Sequence, residues 1–420
     1  MKNEDFLPYS LPNRSLFLLL ILALAVAACV REGEDRNPSL SRGGEDLEFT
    51  GDMFRGNLAR TGVYDERGPS GAEVRGKWRF ETRNRRVEAS PAVWDSTAYI
   101  GSLRDHLYAV DARTGEERWR SDSTGFFRSS PAVVNGTVYV GNEDRHLYAF
   151  DAESGTVRWR YETSGSVRSA PVVTDSTVYI GSIDNEAYGD SAYARESVQS
   201  ESRLYAVNAE TGERLWAFPV GGGIRSSPAV SGGTVYVGSW DGQLYAVNAG
   251  TGEEIWRFDT GRKVYTTPAV AEGRVYFGSN DDHVYAVDRE TGRKEWEFAM
   301  GSDSVDRAIP RLSSPAVAEG VVYIGSLDNQ VYALDAKSGS VEWAFETDGM
   351  VASSPTVADE TVYVGSDDGR VYALDAESGS VQWRFDTGKR VGASSPAIWN
   401  EAVYVGSMGG FSLYAIEEDA

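Results

Sequence analysis

The feature of this chain that most constrains its fold is an internal repeat. One pattern, SPAV-x4-VYVGS followed by a short turn and LYAVDA-x-TG-x3-W, returns eight times. The copies follow one another at about 40 residues, a length typical of a solenoid or a propeller. Two insertions interrupt this spacing, one between Ser182 and Leu204 and one between Trp296 and Pro315. The repeat tryptophans are Trp78, Trp119, Trp159, Trp216, Trp256, Trp296, Trp343 and Trp383.

Each copy of the repeat is predicted to form four short strands. The first follows the proline of SSPAV, the second is the β-branched and aromatic VYVG run, the third is LYAVDA, and the tryptophan strand comes last. Turns such as Asp241-Gly242 favour positive φ and tight hairpins. No segment shows a helical period, so we predict an all-β fold.

The two ends of the repeat region distinguish an open array from a ring. The first copy begins with only a tryptophan strand, residues 75–80, and the last stops after its third strand, residues 412–416. Each end therefore supplies what the other lacks, whereas an open array would leave sheet edges to protect. We predict an eight-bladed β-propeller of four-stranded blades over residues 75–420, closed by pairing residues 75–80 with residues 412–416.

The amino terminus carries an apolar run, Leu16 to Ala28, that is too short to span a bilayer and suits the core of a signal peptide. It ends at Cys29, the only cysteine, in a Val26-Ala27-Ala28-Cys29 sequence that resembles a bacterial lipobox. We expect a signal peptide over 1–28, a lipid on Cys29, a flexible tether over 29–50 and a lead-in over 51–74. This predicts an exported protein anchored in the outer membrane and facing the periplasm.

The chain is strongly acidic, with 63 Asp and Glu against 41 Lys and Arg and a formal charge of −22. That sign repels phosphate backbones, so no nucleic-acid partner is expected. A single cysteine excludes an intrachain disulfide and a thiolate metal cage. An acidic surplus with few lysines suits a protein that works in concentrated salt, and high-GC coding would also favour arginine over lysine.

A candidate binding face follows from strand direction. We expect one face to carry the second-to-third-strand turns, the blade-to-blade connections and both insertions. Insertions confined to one face indicate that it is the binding face, unless they reflect neutral drift. Arg128, Arg168 and Arg225 stand three residues before the proline in three consecutive blades and are expected to converge at the channel mouth. Their charges would meet a carboxylate ligand, acidic residues of a partner, or the protein's own acids. Trp240 and Tyr265 share this face and suit a partner hot spot.

Other residues that could carry chemistry are expected to be structural. The three histidines precede third strands, which places neighbouring copies too far apart for one zinc, so they are expected to be exposed polar residues. The aspartates of the second-to-third-strand turns are expected to be turn formers rather than calcium ligands. These residues are His106, His146 and His283, and Asp144, Asp241, Asp281, Asp328 and Asp368.

The repeated A-x-D-x2-TG-x3-W, Ala109 to Trp119 in one copy, resembles the tryptophan-docking motif of pyrroloquinoline-quinone (PQQ)-type propellers. Residues 53–62 also resemble the lead-in of that superfamily. The resemblance implies that the eight repeat tryptophans pack between blades. The superfamily includes calcium- and quinone-dependent dehydrogenases as well as non-enzymatic scaffolds. Among the scaffolds, the chain is similar to the BamB-like lipoproteins of the outer-membrane β-barrel assembly machinery.

The lipobox, the plain propeller and the lack of an identifiable catalytic set favour a lipid-anchored scaffold for protein–protein interaction. We expect membrane contact through the anchor, a protein partner, a monomeric propeller and no cofactor. One alternative is a PQQ-binding quinoprotein or oxidoreductase with calcium, in which the arginines hold the anionic quinone. However, the vicinal cysteine pair common in the quinoprotein dehydrogenases is missing here. A second alternative is a surface lipoprotein that binds a substrate or polysaccharide.

Overall fold

The computed structural model describes residues 51–419 except 54, 70, 72, 84–85, 104–105, 123–124, 175, 185–201 and 302–312, and of residues 51–53 it describes the main chain alone. The predicted signal peptide, Cys29, the tether and most of both insertions lie outside the described residues. The described part of the chain consists of strands and connecting turns. It contains no helix long and apolar enough to cross a membrane.

The described chain forms 34 strands in eight sheets. Two lead-in strands, β1 (Gly51–Met53) and β2 (Val63–Tyr64), come first, followed by β3 (Val74–Glu81). Blade 1 holds β4 (Ala92–Trp94), β5 (Thr97–Gly101), β6 (Leu107–Asp111) and β7 (Glu117–Arg120). Blade 2 holds β8 (Ala132–Val134), β9 (Thr137–Asn142), β10 (His146–Asp151) and β11 (Val157–Glu162). Blade 3 holds β12 (Val172–Val173), β13 (Thr177–Gly181), β14 (Arg203–Asn208) and β15 (Arg214–Pro219).

The remaining blades repeat this order. Blade 4 holds β16 (Ala229–Ser231), β17 (Thr234–Gly238), β18 (Gln243–Asn248) and β19 (Glu254–Asp259), and blade 5 holds β20 (Ala269–Ala271), β21 (Arg274–Ser279), β22 (His283–Asp288) and β23 (Lys294–Ala299). Blade 6 holds β24 (Ala316–Ala318), β25 (Val321–Gly325), β26 (Gln330–Asp335) and β27 (Val341–Glu346). Blade 7 holds β28 (Thr356–Ala358), β29 (Thr361–Gly365), β30 (Arg370–Asp375) and β31 (Val381–Asp386). Blade 8 holds β32 (Ala397–Trp399), β33 (Ala402–Ser407), β34 (Ser412–Glu418) and β3.

The prediction of an all-β propeller with eight four-stranded blades is confirmed. Blade 8 contains both ends of the repeat region, because β3 pairs antiparallel with β34. The register places Trp78 opposite Ala415 and Phe80 opposite Leu413, with a bulge between Gly76 and Trp78. The strand pairing predicted for residues 75–80 and 412–416 is therefore present.

Adjacent blades are joined by the repeat tryptophans. Trp119 donates from Nε1 to the main-chain oxygen of Ala152 in the next blade at 2.8 Å, and Tyr99 donates to the same oxygen at 3.1 Å. Gly155 has a φ of +70°, and a Cβ there would collide with the indole of Trp119, so the hairpin requires glycine. Equivalent hydrogen bonds are made by Trp78, Trp159, Trp216, Trp256, Trp296 and Trp343.

The eighth repeat tryptophan uses a different acceptor. Trp383 donates to the main-chain oxygen of Pro69 at 2.8 Å, and Tyr363 donates to the same oxygen at 3.2 Å. Pro69 belongs to the lead-in, so this segment supplies to blade 7 the carbonyl that the following blade supplies elsewhere. The lead-in is thus part of the packing between blades.

The lead-in also crosses one end of the channel, which we call the base. Its strand β1 pairs with β8 of blade 2, and β2 pairs in parallel with β28 of blade 7. Between these strands, four lead-in carbonyls accept hydrogen bonds from first-strand valines of blades 4 to 7. The acceptors and donors are Leu58 and Val230, Ala59 and Val270, Thr61 and Val317, and Gly62 and Val357.

Two buried arginines fix the lead-in against the blades. Arg55 donates from Nη1 to the main-chain oxygen of Ser314 at 3.0 Å. Arg60 donates to the main-chain oxygens of Pro228 at 3.0 Å and Pro171 at 2.6 Å. Burial lowers the pKa of Arg55 to about 9, so its guanidinium is still protonated at pH 7. The lead-in therefore carries two positive charges to the base of the channel.

Candidate functional site

The candidate site is the axial channel, with a cavity of about 130 Å³ between the described residues. Two layers of side chains line it, and both come from the segment that leads into each first strand. The mouth layer stands three residues before each blade proline and includes Glu88, Arg128, Arg168, Arg225, Tyr265 and Ala352. The second layer stands directly before each proline and consists mainly of serine and threonine. Because every blade repeats the same backbone, these positions converge on the axis.

Two of the three predicted arginines are paired with the protein's own acids. Arg128 and Arg168 both approach Oε1 of Glu143 with their Nε atoms, at 2.8 and 2.9 Å. Arg128 also donates from Nη1 to Glu88 at 3.1 Å. We call this group, Glu88, Arg128, Glu143 and Arg168, the acid–base corner. Of the three possibilities for these two arginines, the structure shows pairing with internal acids.

The third arginine lies in a different environment, the aromatic corner formed by Arg225, Trp240, Lys263 and Tyr265. The rings of Trp240 and Tyr265 are 5.5 Å apart between centroids. Lys263 Nζ lies 4.9 Å from the Trp240 centroid, and Arg225 Cζ lies 6.0 Å from the Tyr265 centroid. At these distances a cation is attracted to the face of the aromatic ring beside it. The structure thus brings together Arg225, Trp240 and Tyr265, and adds Lys263, which sequence reasoning missed.

The two corners occupy equivalent backbone positions. Glu143 and Trp240 each begin the turn after a second strand, and each main-chain N–H donates within its own blade, to Phe126 at 3.2 Å and to Gly223 at 3.0 Å. In both cases the side chain lies against the mouth layer of the next blade. The repeat pattern does not predict Glu143, because its turn position varies from copy to copy and its partners lie in the mouth layer.

A third corner has an acid without an arginine opposite. Asp367 is equivalent to Glu143, with its N–H donating to Met350 at 2.9 Å, but the next blade offers Gly392. The Asp367 side chain is 6% exposed, and within the described chain neither carboxylate oxygen has a hydrogen-bond partner. The nearest cation is Arg390, whose Nη1 lies 4.0 Å from Oδ2. Asp367 was also missed at the sequence level.

The turn aspartates serve the blades. Asp144 accepts from the hydroxyl of Tyr148 at 2.7 Å and from the N–H of His146 at 3.1 Å. Burial, together with this hydrogen bond, raises the pKa of Tyr148 to about 12. The same tyrosine–aspartate bond recurs in Tyr245–Asp241, Tyr285–Asp281, Tyr332–Asp328 and Tyr372–Asp368. These carboxylates therefore accept hydrogen bonds from tyrosine hydroxyls within their own blades.

The three histidines are half-buried, so the expectation that they are exposed was wrong. Each packs against the tyrosine two residues later, with ring centroids 5.7 to 5.9 Å apart. The Nδ1 atom of His106 lies 2.6 Å from the main-chain oxygen of Ser121. Third-strand packing, which the period of the repeat did not reveal, accounts for their burial.

The lining of the described channel bears on the alternative of calcium beside a quinone. Within the described ranges, no three His, Cys, Asp or Glu side chains come together as metal ligands. The acids of the acid–base corner are already paired with arginines. The cavity of about 130 Å³ is also smaller than the roughly 300 Å³ at which ligand pockets usually begin.

Solved structures show the same fold in proteins of different origin. A quinohemoprotein alcohol dehydrogenase from Comamonas testosteroni is similar with a TM-score of 0.72 at 18% identity, over 88% of this chain and 81% of that one. BamB from Moraxella catarrhalis is similar with a TM-score of 0.63 at 18% identity, over 82% and 98%. A computationally designed protein, Ika8, gives 0.66 at 15% identity, over 81% and 98%. At such identities the likeness shows the fold alone.

Sequence comparison is more specific. No curated protein matches the chain. A family model described as outer membrane protein assembly factor BamB matches residues 62–194, 200–314 and 302–417. Because these segments cover well over half of the chain, the protein belongs to the BamB family of PQQ-like β-propellers.

Proposed function

We propose that this protein is a lipid-anchored extracytoplasmic scaffold that binds a protein partner at its channel mouth during outer-membrane protein assembly. The family description supports the assembly role. The lipobox-like sequence before Cys29 supports the anchor. The propeller supplies a rigid face on which binding side chains are held by repeated hydrogen bonds.

The observation that carries the proposal is the aromatic corner. Trp, Tyr and Arg are the residue types that dominate binding energy at protein interfaces. Here Trp240, Tyr265 and Arg225 are half-buried and Lys263 is exposed, so the group is packed yet accessible. Two cationic groups at this corner stand out on a chain of charge −22. An acidic segment of a partner would therefore be steered to this corner.

Affinity isolation from native membranes tests the proposal. We expect the wild-type protein to recover an outer-membrane barrel protein. Trp240→Ala and Lys263→Glu should each lower that recovery about ten-fold or more, because truncating a hot spot costs about 2 kcal/mol or more. Leu327→Ala is the matched control, since Leu327 occupies the equivalent turn position in blade 6. Its recovery should equal that of the wild type.

The outcomes separate the assembly role from the site. If the wild-type protein recovers no outer-membrane barrel protein, the assembly role is rejected. If the barrel protein is recovered equally by wild type and Trp240→Ala, the partner binds elsewhere and the aromatic corner is rejected. Circular dichroism of each variant confirms that the blades are intact before capture is compared.

Lipid anchoring has its own test. Cys29→Ser removes the thiol that would receive the lipid, so we expect the protein to move from the membrane fraction to the soluble fraction of fractionated cells. Ser39→Ala, in the proposed tether, is the control and should leave the distribution unchanged. Continued membrane attachment of Cys29→Ser would reject the anchor.

The quinone alternative is distinguished by titration. Arg225 beside two aromatic rings also suits a planar anion, and one structural neighbour is a quinohemoprotein. The purified protein is titrated with PQQ and calcium while absorbance and melting temperature are followed. A saturable response at micromolar quinone would replace the scaffold proposal, whereas we expect none. Retention on a polysaccharide column would support the third possibility, a carbohydrate-binding lipoprotein.

A further inference from the structure

A nearly complete ring of hydrogen bonds surrounds the channel below the mouth layer. In seven of the eight blades a serine or threonine hydroxyl accepts the N–H of the equivalent residue in the preceding blade, at 2.8 to 3.4 Å. The ring is interrupted at Ala170, which has no hydroxyl. The seven ring hydroxyls are Ser90, Ser130, Ser227, Thr267, Ser314, Ser354 and Ser395.

The ring hydroxyls have a second capacity. Each is used as an acceptor, and a hydroxyl can also donate one hydrogen bond. All seven side chains are buried and line the cavity. Within the described chain, no acceptor is in hydrogen-bond geometry for any of these seven O–H groups. Among the described residues, the cavity is therefore surrounded by buried donors that an acceptor inside the channel could satisfy.

Positive charge lies directly behind this ring. Arg55 donates to the main-chain oxygen of Ser314 at 3.0 Å, and Arg60 donates to that of Ala170 at 3.4 Å. Both acceptor residues line the cavity. The partners of Arg55 are all main-chain oxygens, and no carboxylate among the described residues lies within ion-pair distance of it. A buried cation that hydrogen bonds to neutral groups keeps its field, which favours an anion nearby.

We propose that the channel binds a small inorganic oxyanion of the phosphate or sulfate class at the hydroxyl ring, within the cavity that the ring and the mouth layer line, with the positive charges of the two lead-in arginines behind the ring. An oxyanion is rich in acceptors and so matches a ring of donors. Several acceptor oxygens also suit donors that come from different blades, which a monatomic ion would reach less well. The cavity of about 130 Å³ has room for a tetrahedral oxyanion and accompanying waters.

The lead-in gives this site a direction of entry. Its main chain spans blades 2 to 7 at the base, through β1, β2 and the four carbonyls bonded to first strands. The anion would therefore enter through the mouth, past Arg225. This inference does not depend on the proposed protein partner, because the aromatic corner belongs to the mouth layer and the hydroxyl ring to the layer below.

Because the ring has a gap at Ala170, the inference can be tested by a variant that should strengthen phosphate binding as well as by variants that should weaken it. The full-length protein in detergent is titrated with phosphate at constant ionic strength, balanced with chloride, and binding is followed by calorimetry and ³¹P line width. Ala170→Ser supplies the missing hydroxyl and should tighten phosphate binding about three- to ten-fold. Ser227→Ala and Ser354→Ala each remove one donor and should weaken it by a similar factor.

A control outside the channel separates binding from general salt effects. Phosphate and sulfate stabilise most proteins because they are excluded from the surface, so a rise in melting temperature alone does not count. Ser338→Ala removes an exposed hydroxyl that donates to Asp335, and it should leave phosphate affinity unchanged. The absence of saturable binding would overturn the inference. Saturable binding that is equal in Ala170→Ser, Ser227→Ala and the wild type would also overturn it, because the anion would then sit elsewhere.

Discussion

Two acids at the same turn position show how equivalent blades come to differ. Glu143 of blade 2 lies between two arginines, with Nε atoms of Arg128 and Arg168 at 2.8 and 2.9 Å. Asp367 of blade 7 occupies the equivalent backbone position, yet its nearest cation is Arg390 at 4.0 Å. Both side chains are largely buried, at 16% and 6% exposure. The same charge therefore has two guanidinium groups within 3 Å at one corner and a single, largely exposed one at 4.0 Å at the other.

The difference arises in the following blade. The repeat backbone places the turn residue of each blade against the mouth layer of the next. Where the next blade provides Arg168, the corner is neutralised internally, and where it provides Tyr265, an aromatic platform forms. Where it provides Gly392, the acid packs against the main chain. The chemistry of the channel mouth is thus determined by pairs of residues in adjacent blades.

The largest effect expected at these corners is that of Glu143→Gln. This change keeps the shape of the side chain but removes the carboxylate charge that the guanidinium groups of Arg128 and Arg168 both approach, while Arg128 retains its contact with Glu88. We expect it to lower the free energy of unfolding by about 2–3 kcal/mol, somewhat less than the cost of breaking a fully buried pair. Urea unfolding measures this. Glu377→Gln, at an exposed position, is the control, and an equally small change in both variants would contradict the role of the acid–base corner.

Gly392→Ala should have the next largest effect. A Cβ at this position would collide with Oδ1 of Asp367, so the carboxylate or the blade must move. We expect destabilisation of about 2 kcal/mol, as for other overpacked sites. Asp367→Ala removes the colliding group, so in the double variant Gly392→Ala should cost clearly less. Additive costs in the double variant would show that the strain lies elsewhere.

Asp367→Asn should change the free energy of unfolding in the opposite direction to Glu143→Gln. It removes a buried charge that has no hydrogen-bond partner within the described chain, and the amide can donate as well as accept. We expect the free energy of unfolding to rise by about 1 kcal/mol. Arg390→Gln is the control, because its side chain is 65% exposed and should contribute little. Destabilisation by both variants would mean that Arg390 already compensates Asp367.

The fold was predictable from the sequence because the repeat carries it redundantly. Eight copies of the tryptophan strand and the VYVG strand establish the blade, and the incomplete first and last copies indicate how the ends pair. Side chains of the mouth layer were predictable for the same reason. Arg128, Arg168 and Arg225 lie where the strand register places them. Because the backbone repeats, the location of one position in the motif predicts the location of the equivalent residue in every blade.

The partners of those residues were not predictable from strand patterns. Glu143, Lys263 and Asp367 lie in turns and connections, and their contacts cross from one blade to the next. Aligning the turn position among all copies would have revealed an acid in blades 2 and 7 and a tryptophan in blade 4. The role of the lead-in had even less signal, because Pro69 and the carbonyls bonded to first strands act through the main chain. Backbone acceptors leave no side-chain signature.

The smallest expected effect is that of salt on the changes in the free energy of unfolding caused by Glu143→Gln and Asp367→Asn. Raising sodium chloride from 0.1 to 1 M shortens the Debye length from about 10 to about 3 Å, and partly exposed charges are screened more than buried ones. The cost of Glu143→Gln should fall by about 0.5 kcal/mol, since Arg128 is 27% exposed. The gain from Asp367→Asn should change less, because that carboxylate is more buried. Urea unfolding measures both free-energy changes without adding ions. Equal changes in the two variants would show that salt acts on the overall charge repulsion of the protein rather than on the two corners.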